Sequence, residues 1–280
     1  MFSAQAPNRR PVVFNPLRRR SDQQRRRFRR GVYLLPSLFT IGNLFCGYVC
    51  VAYAMRGEFE TAAPFIGIAV ILDMLDGRIA RLTGSTSAFG REFDSLADVV
   101  SFGMAPALLM FKWGLDPLGR LGWTAGFVFV SAGAIRLARF NIQTSTDKRY
   151  FVGLPIPAAA AVPAATVFLF PDGPRDYAHA LPAVLLMLVP AVLMVSTIRF
   201  RSFKTIDLQA RRSYKILLAV AITFFAIATE PKWTLVVLAY GYLLSAFIGM
   251  ARSRLRRRGA TAPQRDNAGD PPAPEDPPQE

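Results

Sequence analysis

The chain has 280 residues, 52% of them hydrophobic, with a mean hydropathy of +0.26 and a formal charge of +15. So much apolar content beside 34 lysines and arginines excludes an ordinary soluble domain. The basic residues crowd the tails and alternate loops that flank apolar runs, which points to an anionic lipid leaflet and away from nucleic acid.

Residues 1–32 form a basic segment with ten arginines before residue 31. Val12, Val13, Phe14 and Leu17 beside Arg18, Arg19 and Arg20 fit a stretch lying on the membrane surface. They fit a disordered basic tail equally well. The first apolar run starts near Tyr33, behind these arginines, and no cleavable signal peptide is expected.

Eight apolar runs follow, at about 33–55, 60–82, 91–112, 122–142, 154–170, 178–198, 214–230 and 233–251. About 20 residues of helix cross a hydrocarbon core. Inside it every backbone polar group must pair internally, which makes helices the expected element even around Pro64, Pro106, Pro163 and Pro190. The prediction is an all-α fold, a polytopic helical bundle of about eight transmembrane helices, in a membrane domain spanning 33–251. Cys46 and Cys50, four residues apart in the first run with no ligand set beside them, read as small packing residues.

Lysine and arginine set the orientation. One set of connections carries only Arg56, Lys112, Arg120, Arg175 and Lys232. The other carries the N-terminal arginines, Lys148 and Arg149, the run from Arg199 to Lys215 and six arginines from Arg252 to Arg265. The rich side is predicted to be cytoplasmic, with both termini inside. Residues 252–280, basic and then proline-rich, are predicted to form a disordered cytoplasmic tail.

Chemistry concentrates between residues 73 and 98. Asp73 and Asp76 are i, i+3, and Asp94 and Asp98 are i, i+4, so each pair lies on one helix face. A carboxylate at the centre of a membrane helix costs roughly 2.5–3.5 kcal/mol, and intramembrane clusters of them are functional by default. A short loop would bring the two pairs together, where they repel unless cations lie between them, and oxygen-only ligands suit Mg²⁺, Mn²⁺ or Ca²⁺. At the helical rise, Asp73 lies about 13 Å from the inner end of its span and Asp98 about 10 Å along the next. A site just beneath the cytoplasmic face follows, open sideways to a lipid and from the cytosol to a soluble substrate. Gly77 leaves a helix face bare. Arg81, two turns past Asp73, can reach a phosphate, and Asn43 can donate a hydrogen bond from the first span.

The run Asp73-x2-Asp76-Gly77-x2-Ala80-Arg81-x8-Gly90-x3-Asp94-x3-Asp98 resembles, without a gap, the signature of the CDP-alcohol phosphatidyltransferases. Asn43 to Gly47, Phe93 to Gly103, Arg136 to Asn141 and Gly153 to Pro157 resemble the phosphatidylserine synthase branch of that family, and the likeness covers about residues 33 to 250. It implies that an alcohol attacks CDP-diacylglycerol at the lipid-side phosphorus and releases CMP. It implies two divalent metals, Mg²⁺ or Mn²⁺, on Asp73, Asp76 and Asp94, with Asp98 completing the second site or lying near it. Asp98 takes the family's role of general base. Pro36, Ser37, Thr40 and Ser87 match nucleotide-contacting positions and, with Asn43, Gly77 and Arg81, make up the expected CDP-diacylglycerol contacts. Many relatives have a longer polar residue at the position of Ser37. A homodimer is also implied.

Arg136 and Arg139 are i, i+3 near the inner end of the fourth span. Arginines there commonly snorkel to the interface. A guanidinium fork also suits the carboxylate of L-serine, with Asn141 assisting. The expected activity is therefore transfer of a phosphatidyl group to L-serine at the cytoplasmic face of the cell membrane. The alternatives are an acceptor carrying a phosphate, such as glycerol 3-phosphate or inositol phosphate, and a cation transporter. A transporter would want carboxylates spread along a path, whereas these cluster. The unrelated synthase type with paired His-x-Lys motifs is excluded, because His179 is the sole histidine.

Overall fold

In the computed structural model the described residues are 37–84, 87–142, 150–174, 176–196, 199–201 and 213–259. The basic segment 1–32, Pro36, the loop with Lys148 and Arg149, and the tail beyond Gly259 lie outside them.

Eight helical segments appear among the described residues: α1 (Ser37–Met55), α2 (Phe59–Thr83), α3 (Ala88–Leu118), α4 (Arg120–Ile142), α5 (Ile156–Leu169), α6 (Tyr177–Val195), α7 (Ser213–Thr229) and α8 (Pro231–Gly259). Of these, α1, α3 and α4 are long and apolar enough throughout to cross a membrane. Large apolar side chains such as Phe45, Tyr48, Trp123, Phe127, Phe224 and Phe225 lie exposed, as expected of a surface whose solvent is lipid. The chain is a helical membrane protein.

Three boundaries differ from expectation. The third span, predicted over 91–112, runs unbroken from Ala88 to Leu118. It accommodates wide π turns at Val99–Met104 and Phe111–Leu115 and closes with a 3₁₀ turn at Asp116–Leu118. Pro106 has no N–H to give its preceding turn, and the wider turn before it absorbs the missing bond, with the Ala105 N–H reaching Val100 O. The last helix, predicted to end at 251, continues to Gly259, since the arginine-rich stretch that follows is a good helix former. Helix is also not the sole element: β1 (Tyr150–Val152) and β2 (Arg199–Arg201) pair antiparallel, with Phe151 opposite Phe200. This short ribbon bridges the connections that leave α4 and α6.

The packing places α4 against α6, α2 against α5, α5 against α8 and α7 against α8. Phe102, Phe129, Ile66, Leu109, Met110, Leu154, Ile156 and Met187 are fully buried where these helices meet. Close crossings rely on missing side chains. A Cβ on Gly47 of α1 would stand 2.8 Å from Ser101 Cα of α3, which locks those two helices at one register. Gly153, at φ +82°, turns the chain from β1 into α5 where a Cβ would meet Met194 O at 2.4 Å. The Leu154 N–H then bonds Leu193 O at 3.0 Å. The Gly153 to Pro157 segment is thus a packed corner of the fold.

Candidate active site

The carboxylates come from the facing ends of α2 and α3. α2 stops at Thr83 because Gly84 takes a left-handed conformation (φ +62°) and returns its N–H to Ala80 O. α3 starts at Ser87, whose Oγ accepts the Gly90 N–H at 2.9 Å. The short connection folds the two helices back on each other. One carboxylate oxygen each of Asp73, Asp76 and Asp94 then lie within 4.8 Å of one another.

α1 braces this cluster from the side. Thr40 Oγ1 donates to Asp76 Oδ2 at 3.0 Å. One turn on, Asn43 Nδ2 donates to Asp98 Oδ1 at 3.2 Å. Ser101 Oγ in turn donates to the Asn43 backbone oxygen at 2.9 Å, beside the Gly47 crossing. Thr40, Asn43, Asp76, Asp98 and Ser101 are all buried, so each of these bonds forms away from water, where losing one costs most. Asp98 lies just outside the three-carboxylate group but interacts electrostatically with Asp73, Asp94 and Asp76.

Among the described residues, three buried polar atoms at this end have no hydrogen-bond partner: Asp94 Oδ1, Asn43 Oδ1 and Arg136 Nε. Buried polar groups are almost always satisfied, so these atoms are open to water or to a ligand. An unpartnered carboxylate oxygen in a set of oxygen-only donors fits a hard divalent cation.

The other expected residues fall into three groups. Gly77 and Arg81 adjoin the cluster: a Cβ on Gly77 would meet nothing nearer than Arg81 Nη2 at 3.9 Å, so the protein's own packing does not require a glycine there. Arg136 lies half-buried and interacts with Asp98 and Asp73, whereas Arg139 is exposed. Ser37 is half-buried at the start of α1, Pro36 lies outside the described residues, and two side chains have structural partners. Ser87 caps α3, and Asn141 Nδ2 donates to Ser95 Oγ at 3.0 Å, tying α4 to α3. Among the residues that the sequence did not single out for the site, Ser101 is the main addition. Its i, i+3 spacing from Asp98 was the available signal.

Comparison with known proteins follows the same lines. The family model described as CDP-alcohol phosphatidyltransferase matches residues 33–200. The CDP-diacylglycerol–serine O-phosphatidyltransferase of Helicobacter pylori is 41% identical over 223 residues, which cover 78% of this chain and 91% of that one. The enzyme of the same name from Bacillus subtilis is 34% identical over 170 residues, 61% of this chain and 91% of that one. The archaetidylserine synthase of Methanothermobacter thermautotrophicus is 36% identical over 168 residues, 59% of this chain and 69% of that one.

Proposed function

The chain belongs to the CDP-alcohol phosphatidyltransferase family, and from that premise we propose that it transfers the phosphatidyl group of CDP-diacylglycerol to the hydroxyl of L-serine, giving phosphatidylserine and CMP. The observation that carries this reading is the three-carboxylate cluster of Asp73, Asp76 and Asp94 beside Asp98, in a chain whose relatives bear the serine enzyme's name.

Phosphoryl transfer asks for positioning and charge neutralisation more than for covalent work by the protein. Asp73, Asp76 and Asp94 would hold divalent metal, Mg²⁺ or Mn²⁺, with Asp98 at the edge of the set. Such ions supply charge neutralisation at the phosphates. The remaining steps belong to the chain's own groups. The bare face at Gly77 admits the pyrophosphate of the lipid nucleotide, and Arg81 binds it from one turn on. Thr40 keeps the Asp76 carboxylate turned into the cluster. Asn43 holds one oxygen of Asp98 and leaves the other to accept the proton of the serine hydroxyl. The serine oxygen forms its bond to the lipid-side phosphorus as the bond to the CMP oxygen breaks. Arg136 receives the serine carboxylate. Arg139, exposed, serves as an interfacial anchor.

The topology that goes with this reading has all eight helices in the bilayer, both termini and the site at the cytoplasmic face of the cell membrane, and anionic lipids against the basic segments. The active species is a homodimer. The test is CMP release by the purified protein in mixed micelles with CDP-diacylglycerol and a panel of alcohols. Serine should be the preferred acceptor. Preference for glycerol 3-phosphate or inositol phosphate would overturn the serine assignment while leaving the transferase class intact.

A further inference from the structure

α2 and α8 each pack against α5, and a hollow of about 310 Å³ is left between them. Its wall is almost wholly apolar, and much of it is built from small residues: Ala63 and Gly67 of α2, Ala161 and Ala165 of α5, and Ala239 of α8. Among the described residues nothing lies within 4 Å of where a Gly67 Cβ would stand. Glycine inside a helix is less stable than alanine, so packing within the protein gives no reason for it there. The hollow is closed at the end farther from the carboxylates. Glu60 and Lys232, three residues before Ala63 and Leu235, form an ion pair across the gap, and Lys232 Nζ lies 5.6 Å from the centroid of the Phe168 ring. An exposed ion pair adds little stability, but this one, with Phe168, ties α2, α5 and α8 together where the hollow ends. Toward the carboxylates the wall opens. Ile71, Met74, Arg78 and Arg81 are exposed and continue the Gly67 face of α2 at i+4, i+7, i+11 and i+14, past the bare position at Gly77. At the helical rise, Gly77 is about 9 Å from Ile71 and about 21 Å from Ala63.

We propose that this hollow receives the distal end of one acyl chain of the lipid nucleotide, and that the space at Gly67 sets which chain lengths the protein accepts. The assignment rests on the reading of CDP-diacylglycerol as donor and not on serine as acceptor. With the pyrophosphate at Gly77 and Arg81, a tail running down the same face of α2 passes Met74 and Ile71 and then meets the hollow. One leaflet supplies about 15 Å of hydrocarbon, half of the roughly 30 Å core, so a tail of leaflet length ends between Ile71 and Ala63. A short tail ends before it. The volume stands at the low end for ligand cavities, which suits part of a chain and not a whole lipid. The alternative occupant is a bilayer lipid that takes no part in the reaction.

Filling the hollow separates the two. CMP release in mixed micelles would give KM for dipalmitoyl and for dihexanoyl CDP-diacylglycerol, with the acceptor alcohol saturating, for the parent, Gly67→Ala and Gly67→Leu. Gly67→Leu should raise KM for the dipalmitoyl donor about fivefold or more, since a pocket that has lost room for a methylene or two discriminates on that scale or above. KM for the dihexanoyl donor, whose tails end short of the hollow, should move by less than about twofold. Gly67→Ala should shift the ratio of the two KM values in the same direction by less. Its thermal midpoint should equal or exceed that of the parent, because the added methyl group enters open space and favours helix, so this variant carries the test even where Gly67→Leu folds poorly. Equal changes for both donors, or no change for the dipalmitoyl donor, overturn the assignment and leave the hollow to a bilayer lipid. A parent protein that releases CMP from neither donor with any alcohol overturns the functional reading, and this assignment with it.

Discussion

Where α1, α2 and α3 meet, the buried side chains include Thr40, Asn43, Asp76, Asp98 and Ser101, whereas the buried side chains described on α5 and α6 are apolar: Ala159, Ala160, Val162, Ala164 and Val167 on one, Ala180, Ala183, Met187, Ala191 and Met194 on the other. Both regions are bundles of membrane helices, but they are held differently. In lipid, apolar burial hardly distinguishes one helix partner from another, so close packing through small residues does most of the work in α5 and α6. In α1 to α3 the Thr40–Asp76, Asn43–Asp98 and Ser101–Asn43 hydrogen bonds fix register and rotation as well. A carboxylate misplaced by an ångström is a poor ligand and a poor base, so the directional contacts lie where chemistry needs them. Changes in the acidic region should therefore cost turnover first, and changes in the apolar region stability first.

The harshest test of that contrast is removal of divalent ions. A chelator should abolish CMP release, and Mn²⁺ or Mg²⁺ should restore it, since the Asp73, Asp76 and Asp94 oxygens converge with Asp94 Oδ1 unpartnered. Full activity in chelator would remove the metal from the account of the acidic region. Next in size is Asp98→Asn, which keeps the shape but ends proton acceptance. Turnover should fall by at least about 10²-fold, the low end for a general base, with CDP-diacylglycerol binding largely retained. Near-normal kcat would show that the proton goes elsewhere.

The third test lies on the border between the two regions, on α4. Arg136→Ala should raise KM for serine about tenfold or more, as losing a charged hydrogen-bond partner costs roughly 1.5–3 kcal/mol. Arg139→Ala should leave it within about twofold, as expected of an exposed anchor. The same measurements bear on what the sequence could reveal. The two arginines are i, i+3 and share a face, so spacing alone could not choose between them. The choice depends on how α4 is rotated against α3, which is set by packing with α6 and by the Asn141–Ser95 contact.

The aspartate cluster, by contrast, was legible because its geometry is local: two helix faces and a short loop bring it together without help from distant elements. Apolar runs likewise gave the helices and their order. The π turn after Asp98 was not legible, because it answers to Pro106 a turn later and to the crossing at Gly47. The extension of α8 to Gly259 is not legible either, because an arginine-rich run suits a charged tail and a helix equally. Ser87 and Asn141 match a contact pattern by type, and the sequence does not reveal that each also has a partner inside the protein, Gly90 and Ser95.

The smallest effects come from two glycines, one in each region, and they sharpen the contrast because their signs differ. Gly153 lies where the chain enters α5, at φ +82°, and a Cβ there would meet Met194 O at 2.4 Å. Gly153→Ala should lower stability by roughly 1–3 kcal/mol through backbone strain and overpacking, read as a lower thermal midpoint, with KM for CDP-diacylglycerol unchanged in the fraction that stays folded. Gly77 lies inside α2, where a Cβ would meet only Arg81 Nη2 at 3.9 Å. A glycine within a helix is destabilising by roughly 0.5–1 kcal/mol relative to alanine. Gly77→Ala should therefore raise the thermal midpoint slightly and at the same time raise KM for CDP-diacylglycerol severalfold, because the methyl group occupies the face left bare for the pyrophosphate. A more stable and less active variant is the outcome expected when a residue is kept for a ligand and not for the fold. A Gly77→Ala protein with unchanged KM would show that the nucleotide approaches the cluster along another face.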